Sequence, residues 1–204
     1  MTDSQAILFK NFFPEHFQLE TPRVILRPMI MTDENTYIAL AGDPDIWQFF
    51  TKNLAESSEM KQWMKDAFEE KEFYKRMPFT VIDKDTKEIS GSTSYGNISF
   101  FDSRLEIGWS WLGKEYIGMG VNRQAKFALL SYAFEVMKME RVEIKTDNLN
   151  ERAKAALVKV GMKPEGVLRS HMQMHSNRRR DTIYFSILKS EWAERKSNFF
   201  ADLT

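Results

Sequence analysis

Between Glu106 and Asn122 the chain reads Glu-Ile-Gly-Trp-Ser-Trp-Leu, then, after Gly113 and Lys114, Glu-Tyr-Ile-Gly-Met-Gly-Val-Asn. A strand pattern over Leu105–Leu112 gives way to a helical one from Val121, so Gly118-Met119-Gly120 is a turn from strand into helix. Such a turn leaves the first backbone N–H groups of the helix without partners and aimed at one place. The helix dipole adds partial positive charge there, and glycine lets a phosphate come close to the backbone. The chemistry implied is pyrophosphate binding by the amides of Met119, Gly120, Val121, Asn122 and Arg123, with no lysine required. Gly-x-Gly before a helix is, by itself, equally a tight turn. The dinucleotide pattern Gly-x-Gly-x-x-Gly fails because its third position holds Arg123. A P-loop fails because no Gly-Lys-Ser or Gly-Lys-Thr follows.

The elements that position this turn can be read in order. Arg23–Arg27 alternates as a short strand, Thr32-Asp33-Glu34 looks like a capped helix start running to about Leu40, and Ser57-Ser58-Glu59 opens a second helix carrying Met60, Trp63, Met64, Ala67 and Phe68. Three β segments follow at Phe79–Asp83, Glu88–Tyr95 and Leu105–Leu112, the first two as a hairpin. The helix after Gly120 shows an apolar face from Val121 through Val136 and ends near Lys138. Arg141–Thr146 is a strand, Asn150–Val160 a helix closed by Gly161, and Val167–Met172 and Thr182–Leu188 are late strands before a helical tail from Glu191. Strands alternate with helices only in the second half. That predicts an α/β architecture with a mixed sheet and helices on both faces.

Composition bounds the function. The chain has 204 residues, 43% hydrophobic and 28% charged, enough for one compact domain with a sizeable core. Lys plus Arg equals Asp plus Glu at 29 each, which argues against a DNA or RNA binder working by phosphate neutralisation. There is no cysteine, hence no disulfide, thiolate metal site or Cys nucleophile. His16, His171 and His175 have no acids at metal-ligand spacing, so no metal is assigned. No apolar run reaches membrane-span length, and Met1–Lys10 lacks the pattern of a signal peptide; a cytoplasmic protein is expected.

Several motifs together resemble the GNAT acetyltransferases. Glu115-Tyr116-Ile117-Gly118-Met119-Gly120 is similar to that family's Gln/Arg-x-x-Gly-x-Gly/Ala, with Glu115 departing from it. Glu106-Ile107-Gly108-Trp109 resembles the strand before that motif. The stretch from Arg141 to Ala153 resembles the following strand and helix start, and Gly161-Met162-Lys163-Pro164-Glu165-Gly166 the turn beyond. Arg179-Arg180-Asp181-Thr182 resembles the lead-in to the last strand, and with Leu26-Arg27-Pro28 the pattern is that of the RimJ/RimL-like branch. The resemblance covers about residues 19–190 of a single domain, 1–204.

That resemblance implies the GNAT fold, with a central mixed sheet of six to seven strands flanked by helices, and transfer of acetyl from acetyl-CoA to a primary amine by direct attack. Acetyl-CoA would lie in a V-shaped opening beside Trp109, Ser110, Trp111 and Leu112, with Gly118 opening its phosphate turn. Asn150 would bond the pantetheine arm or simply cap its helix. Trp109 and Trp111, two apart, should share a sheet face, and at least one should be core. The amine arrives protonated, and Glu106 is the candidate base, or else a structural ion pair with Arg or Lys. Relatives carry a Ser at the position of Ala153, so the thiolate's proton donor is vacant or water. Trp47 and Phe50 would line the acceptor site or pack in the core. The acceptor is a protein N-terminus or a small amine, and a homodimer fits the family. Glu115 and Ala153 leave open a non-catalytic acyl-CoA sensor, and Arg178-Arg179-Arg180 a ribosome- or RNA-associated module.

Overall fold

The computed structural model describes residues 3–203; Met1 and Thr2, from the stretch read above as lacking a leader, and Thr204 lie outside the described residues. The chain opens with helix α1 (Asp3–Phe12), a two-residue strand β1 (Leu19–Glu20) and strand β2 (Val24–Pro28). Helices α2 (Glu34–Ala41) and α3 (Ser57–Glu72) follow, then strands β3 (Met77–Asp83), β4 (Glu88–Ser99) and β5 (Arg104–Leu112). The second half is α4 (Val121–Ser131), β6 (Arg141–Asp147), α5 (Glu151–Val158), β7 (Lys163–Gln173), β8 (Arg179–Leu188) and α6 (Lys189–Phe200). The strands form one sheet of eight in the order β1-β2-β3-β4-β5-β6-β8-β7. Among the described residues only β5–β6 is parallel. No helix among the described residues is long and apolar enough to cross a membrane.

The sheet divides the core in two. One apolar cluster joins α1, α4 and α6 to the sheet through Phe9, Phe13, Leu129, Phe134, Trp192 and Phe200. The other sets α2 and α3 on the opposite face through Tyr37, Trp47, Met60, Trp63, Met64 and Trp111. Each cluster buries large side chains on the order of 1.5–3 kcal/mol apiece, so both helical layers hold the sheet from its two sides.

The sheet has eight strands rather than six to seven, because the Leu19–Glu20 edge adds a strand too short to carry a period. Helix α1 is absent from the elements expected from the sequence; Phe9 on it and Phe13 just past its end are buried in the first cluster. Asp33 makes no cap hydrogen bond to α2. Its carboxylate is taken by Arg27 at 2.6 Å and Thr80 at 2.6 Å, and those donors hold it below the usual carboxylate range despite burial. Val136, expected on the buried face, is exposed, because Tyr132–Val136 winds as a π-type turn that rotates it outward.

Candidate active site

β5 and β6 pair only through Arg104–Arg141, Leu105–Val142 and Glu106–Glu143. Beyond Glu106 the strands part, which leaves β5 from Ile107 to Leu112 without a β6 partner. A bulge sits on this free stretch. Ser94 pairs with Gly108 and Ser92 with Trp111, so Trp109 and Ser110 together face the single residue Thr93. Trp109 takes φ 52° to do this, and Ser110 Oγ meets Thr93 Oγ1 at 2.8 Å. The extra residue shifts the alternation. Leu105, Ile107 and Leu112 belong to the α4 side, whereas Trp111 is buried in the α2–α3 cluster with Trp109 packed against it.

The turn before α4 has Gly118 and Gly120 at φ 84° and 85°, where a side chain would be strained. A Cβ at either would meet nothing within 4 Å, so the concave side of the turn is open. Gln124 N–H donates to Gly120 C=O as the first bond of the helix. The N–H groups of Val121, Asn122 and Arg123 therefore have no acceptor in the helix. Arg23 braces the turn, donating to Met119 C=O at 2.7 Å while paired with Asp83 at 3.0 Å. The Arg123 side chain turns away, to Asp202 and Phe199 C=O at 2.6 Å each, so only its amide serves the turn. Asn122 accepts from Lys126 at 3.2 Å. On the β6 side Asn150 caps α5, its Oδ1 accepting from Ala153 N–H at 3.0 Å.

Glu106 stands where the two strands separate. It is buried, and its Oε2 accepts from Lys145 at 2.8 Å and from Asn97 at 2.7 Å. Its other oxygen leans toward Gly108, where an added Cβ would come within 2.9 Å. Glycine at 108 thus makes room for the carboxylate. Arg180 is buried beside it; burial lowers its guanidinium pKa, while Asp147 and Glu106 oppose that. Of the arginine run, Arg178 pairs with buried Asp147.

Glycine has a second role at Gly96, the β4 partner of Glu106. The Trp109 ring lies over it, 2.1 Å from where a Cβ would be. Arg76 stacks on that ring at 4.5 Å and on Trp63 at 5.0 Å. These residues border a cavity of about 200 Å3, whose lining also includes Trp47, Phe50, Trp111 and Glu70. Burial pulls the Arg76 pKa down to about 10, opposed by Glu70. Leaving a buried donor unpaired costs roughly 1–3 kcal/mol, and among the described residues two side chains of this lining carry such an atom, Arg76 Nη2 and Trp111 Nε1.

The structure thus brings Glu106, Trp109, Ser110, Trp111 and Leu112 together at the parting strands, and Gly118 to Arg123 at the turn that follows. Trp109 and Trp111 share a face, and Trp111 is core. Trp47 is wholly buried, with its N–H donated to Ala41 C=O at 2.8 Å, and it lines the cavity with half-buried Phe50. Arg76, Lys145, Asn97 and Arg23 were not singled out in the sequence. Arg23 and Lys145 act on residues 39 or more positions away, Arg76 on residues six to thirty-three away, and Asn97 on a partner nine away across the β4–β5 turn. No local pattern marks such residues; a lone Arg between a helix and a strand is the one sign of Arg76.

The description "Acetyltransferase (GNAT) domain" matches residues 23–163, more than half of the chain. The chain therefore belongs to the GNAT acetyltransferase family and is an acetyltransferase. It is 27% identical over 179 residues to the uncharacterized N-acetyltransferase p20 of Bacillus licheniformis, covering 86% of this chain and 98% of that protein. Its fold overlays that of a GCN5-related N-acetyltransferase from Brucella melitensis with a TM-score of 0.83 at 26% identity, over 93% of this chain and 86% of that one. Mycobacterium smegmatis RimJ, solved with CoA-disulfide, shares the fold at a TM-score of 0.73 and 22% identity, over 88% and 91% of the two chains.

Proposed function

We propose that the protein is a single-domain enzyme, 1–204 with its core at about 19–190, that transfers acetyl from acetyl-CoA to a primary amine. The observation that carries the reading is the continuity of two open backbone surfaces. The free β5 stretch Trp109–Leu112 leads within six residues to the open turn Gly118–Arg123. One extended ligand with an amide arm and a pyrophosphate would meet backbone groups along its whole length. Acetyl-CoA, when bound, supplies the thioester carbonyl that the amine attacks. Trp109 to Leu112 would hold its pantetheine amides, Gly118 to Arg123 its pyrophosphate, and the Asn150 amide its arm, near Ala153.

Glu106 is the base in this reading. Lys145 and Asn97 fix one oxygen and leave the other facing Gly108. From there it takes the ammonium proton, directly or through water. Trp47 and Phe50 wall the acceptor side. The acceptor is a protein N-terminus or a small amine, and likeness to RimJ in fold supports the RimJ/RimL-like branch.

Thiol release from acetyl-CoA, followed colorimetrically with a panel of amines and N-terminal peptides, tests the proposal. Release that depends on the amine is expected. Tight CoA binding with no amine-dependent release would establish a non-catalytic acyl-CoA binder instead.

A further inference from the structure

Two side chains that line the cavity next to Glu106 each carry a buried donor that no group among the described residues satisfies. Arg76 is 2% exposed; its Nε donates to Ser94 at 2.9 Å and its Nη1 to Glu70 at 3.2 Å, while Nη2 has no partner. Trp111 is 4% exposed and its Nε1 has no partner either. Both side chains line the same cavity. The guanidinium cannot swing away to find water, because Trp63 and Trp109 stack against it and Ser94 holds its Nε. Buried donors fixed in this way are what a specific anionic ligand requires, since a charge-assisted bond to arginine is strong and directional.

We infer that this cavity is the acceptor subsite and that it takes an amine bearing a carboxylate, a small amino acid, whose two oxygens meet Arg76 Nη2 and Trp111 Nε1. The inference rests on the acetyl-transfer reading above and narrows its acceptor. A carboxylate offers two acceptor oxygens to two donors and one negative charge to the buried cation. The lining holds two cations, Arg76 and Lys52, each paired with an acid, Glu70 and Asp66, so a monoanion is better tolerated than a phosphate dianion, and a volume of about 200 Å3 suits a small molecule. The aromatic walls, Trp47, Phe50 and Trp63, fit an apolar side chain. Trp109 is common to the cavity and to the Gly96 floor under Glu106, so a carboxylate anchored at Arg76 leaves its amine on the side of the parting strands. Both donor atoms are closed off from the cavity as well as from solvent as the side chains stand, so the carboxylate must displace part of the lining to reach them. Half-buried Phe50 and Thr51 are the residues that must give way on entry.

The test is binding, read from tryptophan fluorescence of the full chain in the presence of CoA, with L-methionine, L-leucine and L-phenylalanine against the amide of each. The acids should bind about 10–100-fold tighter than the amides, the worth of a bond to a charged group. Trp111→Phe removes the N–H but keeps an aromatic ring, and should narrow that gap; Arg76→Lys should narrow it further. Equal binding of acid and amide overturns the inference. So does failure of all three acids to bind at millimolar concentration, or preference for the N-terminus of a short peptide. Should either variant fail to fold, the acid-to-amide ratio in the unaltered protein decides. Thiol release from acetyl-CoA is followed in parallel. Acids that bind well yet release no thiol leave the subsite standing and sink acetyl transfer. Amines lacking a carboxylate that are acetylated best do the reverse.

Discussion

The turn at Gly118–Arg123 and the cavity around Arg76 do opposite jobs with opposite materials. The turn presents backbone amides, needs no particular side chain, and is contained in six consecutive residues. The cavity presents side chains from the segment after α2, from α3, from the α3–β3 connection and from the bulge of β5, and two of them carry unsatisfied donors. Backbone recognition suits a cosubstrate that is constant across a family. Side-chain recognition suits an acceptor that differs from one member to the next, because each lining residue can change without disturbing the turn. The two regions meet at Glu106 and the Trp109 bulge, and substitutions there and on either side can separate them.

The largest effect is expected at the junction. Glu106→Gln keeps the size and the Asn97 contact but removes the basicity. Turnover should fall by about 10²–10⁴, with CoA affinity little changed. Breaking the bond to Lys145 also destabilises the fold, by roughly 3–5 kcal/mol if the pair behaves as a fully buried one, and less to the extent that Lys145 reaches solvent. A folded variant with near-normal turnover across pH would reduce Glu106 to an ion-pair partner and leave the base to be sought in the cavity lining.

Gly96→Ala addresses the cavity from beneath the Trp109 ring. Its Cβ would collide with the Trp109 ring at 2.1 Å, so the indole and the stacked Arg76 must move. A cost of about 1–3 kcal/mol in unfolding free energy is expected for such overpacking. Acceptor KM should rise while CoA affinity holds. Equal damage to both ligands would mean that the bulge serves them as one site.

Gly120→Val addresses the turn alone. A β-branched residue at φ 85° costs roughly 1–3 kcal/mol, and its methyl groups enter the open concavity. CoA affinity, measured by calorimetry on the folded variant, should drop by about tenfold or more. Unchanged affinity would show that the pyrophosphate lies elsewhere.

The same contrast explains what could be read from the sequence. The turn was legible because its determinants are adjacent: two glycines, a strand before them and an apolar helical face after. The order of strands and helices from Phe79 to Leu188 was legible for the same reason, since each has its own period. Asn150 as a helix cap also follows from position alone. Arg76 was not legible, because its meaning depends on Trp63, thirteen residues before it, and Trp109, thirty-three after, meeting over Gly96. The face taken by Trp111 was equally hidden. By alternation it belongs with Leu105 and Ile107, and only the bulge moves it to the α2–α3 side. The ion pair of Glu106 with Lys145 needs the parallel pairing of β5 and β6, which no local pattern states.

The smallest effect is expected at Ala153, one turn into α5. Its N–H is already taken by the Asn150 side chain, and its methyl group donates nothing. Ala153→Ser keeps the backbone bond and adds a hydroxyl one turn into the helix. A thiol has a pKa near about 8.5, so the departing thiolate is a tolerable leaving group at neutral pH and water can protonate it. The added donor should raise turnover only modestly, well under the range of about 10²–10⁴ expected of full acid catalysis, and should leave the acid-to-amide preference of the cavity untouched. Steady-state rates of the two forms between pH 6 and 9 check this. A gain within the full range would mean that the native chain lacks an important group, and would turn the comparison around: the backbone turn and the cavity would then be binding surfaces of a protein that holds acyl-CoA and an amino acid together without joining them.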